Sequence, residues 1–145
     1  DLLIELAWRK RNEEFIIKGY LSKGAAYRLK GDLKKSLISG DLESFIHIVE
    51  QEALMLHALM MTSKTPYILF KPNTIQIINE VWSFRKETNL NLCFTLDAGA
   101  NVHLLYPKNE EIEIKTFIEK NLSKFCNNKK YIHDLIGDGP KPRNE

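Results

Sequence analysis

Apolar residues return at helical spacing through "GDLESFIHIVEQEALMLHALMMTS": Leu42, Phe45/Ile46, Val49, Ala53, Leu56 and Met60. The spacing predicts a helix with Asp41 as its N-cap and Glu43 in a first turn whose dipole favours a carboxylate. Its second half is apolar nearly all round, so the helix is expected to be central and buried. Met55, Met60 and Met61 read there as core filling. After Ser63-Lys64-Thr65-Pro66, "YILF" (67–70) is a short strand or an extended connection. A second stripe of Ile75, Ile77, Ile78, Val81/Trp82 and Phe84 predicts a helix over "KPNTIQIINEVWSFRKETN". Asn73 and Gln76 there have capping-box spacing, and Arg85-Lys86 suit its C-terminal end. Two apolar runs follow: "LCFTL" and "VHLLY" predict a hairpin closed by Pro107. A third helix, about 110–126, opens with Glu110-Glu111 and repeats Ile114, Phe117/Ile118, Leu122 and Phe125. "YIHDLI" (131–136) reads as a last strand. Residues 1–38 are helical in composition, with Gly19, Gly24 and Gly31 as expected interruptions, and the turn-rich tail 137–145 is expected to be mobile. This order predicts an α+β fold, an antiparallel sheet with helices on one face.

Composition narrows the classes. A chain of 145 residues, 43% apolar and 28% charged, reads as one globular domain over 1–145. The longest apolar run, 53–61, is broken by His57 and falls far short of the ~20 residues that span a bilayer. No signal-peptide pattern opens the chain. Cys93 and Cys126 form no C-x-x-C, so they are expected to be reduced thiols in a cytoplasmic protein. A net charge of +2 is too balanced to argue for nucleic acid, although residues 1–35 carry nine Lys/Arg against five Asp/Glu. The chain starts at Asp1, so it is expected to be a piece of a longer protein.

Several motifs are rejected. Gly19-x4-Gly24 is followed by Ala25-Ala26 where a P-loop needs Lys-Ser/Thr. His47, His57, His103 and His133 are scattered without metal-ligand spacing, so no metal site is expected. His57, on the buried helix, reads as a hydrogen-bonded core histidine. No G-x-S-x-G elbow is present, Ser63 has no special context, and Lys64 and Lys71 read as solvated.

Asp97, in "FTLDAGANVHLLYP", keeps two readings. One is a turn-capping residue beside Gly99. The other is a carboxylate that leaves an apolar strand between Leu96 and Ala98, where Gly99 lets backbone approach a ligand and a substrate hydroxyl can meet a general base.

The T-x-D-A-G-x-N-V stretch, together with the helix ending H-A-L-M-M-T-S and "YILFKPNTIQIINEVWSFR", resembles diphosphomevalonate decarboxylase of the GHMP kinase superfamily, in its C-terminal half. The resemblance covers about 31–106 and extends to 140; residues 1–30 do not match. It implies a ferredoxin-like antiparallel sheet and an enzyme using ATP and Mg²⁺ to turn mevalonate diphosphate into isopentenyl diphosphate. It further implies that Asp97 is catalytic, that Ala98 and Gly99 lie against substrate, and that the enzyme is a homodimer. Ala100 stands where the family usually has Pro. The nucleotide and diphosphate sites are expected mainly in an N-terminal half, so the 145-residue chain alone is expected to be inactive. The alternatives are another small-molecule kinase of the superfamily and a non-catalytic dimerisation module.

Overall fold

The computed structural model describes residues 23–134. Expectations for residues 1–22 and for the tail from 135 lie outside them. The elements are α1 (Lys23–Ser39), α2 (Leu42–Met61), α3 (Pro72–Thr88), β1 (Cys93–Leu96), β2 (Val102–Leu105) and α4 (Glu111–Phe117).

Helix α1 runs through Gly24 and Gly31, which the sequence reading treated as interruptions. One glycine inside a helix costs only about 1 kcal/mol relative to Ala, and packing of Leu33 and Leu37 against Phe45, Ile46 and Val49 opposes that cost. The helix stops at Gly40, whose φ of 72° is the left-handed conformation that glycine adopts without penalty. The Asp41 N–H donates to the Ser36 carbonyl (3.0 Å), and the Asp41 side chain accepts from Ser44 N–H (3.0 Å). One residue thus closes α1 and caps α2, as expected for the start of α2.

The predicted capping box of α3 is built differently. Lys71 is the N-cap and Pro72 opens the helix, where the missing proline N–H is no loss. Thr74, not Gln76, accepts the Lys71 N–H (3.3 Å), and Asn73 Nδ2 instead donates to the Phe125 carbonyl (2.9 Å). Asn89 ends α3 in the left-handed conformation, φ 58°.

The hairpin forms as predicted, antiparallel with Phe94 opposite Leu104 and Leu96 opposite Val102. Phe94 and Leu96 enter a core with Ala53, Ile78, Val81 and Ile114, while Cys93 joins Phe45, Ile46 and Val49. The α+β class holds, with a two-stranded sheet among the described residues. Behind β1, the buried Glu50 receives Arg85 through two bonds (2.7 and 3.0 Å) and Trp82 Nε1 (2.9 Å). Arg85 also donates to the Leu92 carbonyl (2.7 Å), so the ion pair anchors the entry of β1.

The third predicted helix is present in pieces: α4 widens into a π turn over Ile118–Leu122 and tightens over Ser123–Phe125. The predicted strand 131–136 does not form over 131–134, and 135–136 lie outside the described residues. A strand needs a ladder partner. Here His133 pairs with Glu111 (3.3 Å) and Tyr131 reaches Glu119 (3.4 Å), so the segment is held by side chains of α4 and the turn that follows.

Candidate functional site

The site is the connection 97–101 between β1 and β2. Beside it lie two buried polar side chains, His57 and Thr74, each 2% exposed. His57, on α2, stacks on Phe70 with ring centroids 4.2 Å apart and planes 11° from parallel. Its Nε2 lies 3.0 Å from the Asp97 carbonyl oxygen. A carbonyl only accepts, so this nitrogen carries the proton. Thr74, in the first turn of α3, donates its hydroxyl to the Ala100 carbonyl (2.8 Å). Both polar groups are thereby satisfied, as burial requires.

The Asp97 side chain is divided in its surroundings. Oδ1 is buried and has no hydrogen-bond partner among the protein groups. Oδ2 lies 3.9 Å from Nε2 of His103, an exposed residue of β2. The turn-capping reading requires a carboxylate oxygen bonded to a nearby backbone N–H, and Oδ1 makes no such bond. The Asp97 side chain as a whole is 43% exposed, yet Oδ1 is covered and left without a protein partner, and such an atom calls for an explanation. Gly99 leaves room for it: a Cβ there would sit 2.7 Å from Asp97 Oδ1, the end of a short side chain. Ala98 is exposed at the surface of the loop. Asp97, Ala98 and Gly99 therefore sit together, with the carboxylate folded over the glycine.

His57 is the hydrogen-bonded core histidine expected, but its partner 40 positions away is invisible in sequence. Thr74 was missed; its only local signal is its place three residues after Lys71. Lys64 and Lys71 are exposed, and Ser63 bonds the carbonyls of Met60 (3.0 Å) and Thr65 (2.8 Å). Among the described residues no three His, Cys, Asp or Glu side chains group so as to hold a metal ion. No described helix is long and apolar enough to cross a membrane. A groove of about 660 Å³ between α2 and α3, around Trp82 and Arg85, is not lined by Asp97.

The described chain is thus an α+β domain whose strand β1 leads into a loop bearing a carboxylate. The family described as the mevalonate 5-diphosphate decarboxylase C-terminal domain matches residues 27–142. The chain belongs to that family. Phosphomevalonate decarboxylase of Haloferax volcanii is 30% identical over 73 residues, 50% of this chain and 22% of that protein. The mevalonate diphosphate decarboxylase of Legionella pneumophila shares the fold with a TM-score of 0.66 at 23% identity, over 84% of this chain and 44% of that one. For the Enterococcus faecalis enzyme the TM-score is 0.65 at 22% identity, over 84% and 39%. The chain thus spans less than half the length of these relatives.

Proposed function

We infer that the full-length protein is an ATP-dependent decarboxylase that converts mevalonate diphosphate into isopentenyl diphosphate, and that Asp97 is its catalytic carboxylate. The observation that carries the reading is Asp97 itself: one oxygen is buried without a protein partner, and the carboxylate lies against Gly99 in a loop tied to two helices. Family membership supports the reaction class.

A tertiary hydroxyl is a poor leaving group, and ATP supplies the phosphoryl group that makes it a good one. Asp97 orients the substrate hydroxyl and takes up its proton. Once the carboxyl has passed that proton on to solvent it is an anion again, and as phosphate leaves it stabilises the positive charge developing at the carbon until loss of carbon dioxide quenches it. Ala98 and Gly99 line the substrate beside the carboxylate. A related solved protein, MDDEF, is in complex with MVAPP, AMPPCP and magnesium. Among the described residues of this chain no three His, Cys, Asp or Glu side chains form a metal cluster. In this reading ATP and Mg²⁺ are held elsewhere in the full-length protein, the 145-residue chain alone is inactive, and the enzyme is a cytoplasmic homodimer.

The test is release of carbon dioxide and ADP by the full-length protein given ATP, Mg²⁺ and mevalonate diphosphate, with phosphomevalonate as a second substrate because one relative bears that name. Both products from mevalonate diphosphate support the reading. A phosphorylated product without carbon dioxide makes it a kinase instead.

A further inference from the structure

We propose that His57 is the positioning residue of this site, holding the Asp97 backbone by its carbonyl so that the carboxylate keeps one orientation; this rests on the reading of Asp97 as the catalytic group. Among the described residues no backbone–backbone hydrogen bond closes residues 97–100, and the last pair of the hairpin ladder is Leu96 with Val102. The loop is instead tied at its two ends by side chains from two helices, His57 at Asp97 and Thr74 at Ala100.

His57 is the more directive of the two. Its bond falls on the residue that bears the carboxylate, and its ring plane is set by the stack on Phe70. Both χ angles are therefore constrained by the core, and the N–H points along a fixed line. Releasing the Asp97 peptide lets the carboxylate swing, and a displacement of about 1 Å costs up to a hundredfold in rate. A histidine kept only to satisfy the core would track stability. A positioning histidine tracks turnover, and does so through its donor.

The experiment uses the full-length protein with ATP, Mg²⁺ and mevalonate diphosphate. His57→Phe keeps a ring against Phe70 and removes the donor; His57→Gln returns an N–H at similar reach. The expected result is a fall in kcat of about tenfold or more for His57→Phe, with KM changed less than about threefold, and recovery of most of it in His57→Gln. Should Phe not be tolerated, His57→Asn, whose amide falls short of the carbonyl, shows the same split. Turnover within twofold of the natural protein in the donor-less variant, or equal losses with and without the donor, overturns the proposal. The imidazole ¹⁵N spectrum of the unsubstituted protein reads the bond without turnover: Nε2 protonated supports it, and Nδ1 protonated with bare Nε2 overturns it. If the natural protein releases no carbon dioxide, the proposed function fails while this spectrum still decides the His57 bond.

Discussion

A Cβ at Gly99 would lie 2.7 Å from Oδ1 of Asp97, closer than any real contact, so a side chain at 99 and the present position of that oxygen exclude one another. The clash is with the end of a short side chain, not with backbone. Gly99→Ala is expected to leave the fold intact and turn the carboxylate aside. Turnover of the full-length enzyme should fall by about tenfold to a hundredfold, with a melting temperature close to that of the natural protein. Full activity in this variant would mean that the carboxylate's orientation is irrelevant.

Arg85 neutralises Glu50, whose side chain is 9% exposed. The pair lifts the Arg85 pKa, chiefly through its hydrogen bonds to Glu50. Arg85→Ala strands a buried carboxylate, and the expected loss is about 3–5 kcal/mol of unfolding free energy, read by urea titration. The exposed pair of Lys35 and Asp32 (3.4 Å) is the control, and Lys35→Ala should leave the midpoint unmoved.

Burial pushes the Cys93 thiol up to about 12, with the Glu50 charge adding to the effect. Cys126 is raised by burial too, but is only partly covered. The thiolate is the reactive form. Alkylation at pH 7.5, followed by site-resolved mass spectrometry, should therefore modify Cys126 first and Cys93 only on unfolding. Equal labelling of both in the folded protein would contradict the buried placement of Cys93.

Asp41 has its carboxyl held below the ordinary 3.8, first by its side-chain bond with Ser44. A depressed folded-state pKa contributes stability above the unfolded value, and that stability is lost as pH falls through the folded one. Asp41→Asn keeps a competent cap without the titration. The stability advantage of the natural residue should shrink as pH is lowered below 3.8. An advantage that is constant with pH would remove the cap from acid unfolding.

Helix α2 was readable because three local signals agree: the apolar spacing from Leu42, the Asp41 cap and Glu43 in the first turn. The hairpin was equally plain from two short apolar runs on either side of the turn at 97–99. Where sequence reading failed, a distant partner decided. Gly31 stays helical because Leu33 and Leu37 pack on α2, Thr74 displaced the expected cap, and residues 131–134 bond to side chains from α4 onward in place of a ladder. At the site, Asp97 and Gly99 were legible as a pair. Which oxygen is buried, and which histidine holds the peptide, depends on contacts 40 positions apart along the chain.

The most direct test is Asp97→Asn in the full-length protein, which keeps the shape and removes the charge. Carbon dioxide and ADP release from mevalonate diphosphate should fall by about two or more orders of magnitude, the range that general-base and electrostatic terms supply. Turnover equal to that of the natural enzyme would make Asp97 a turn residue and place the chemistry elsewhere.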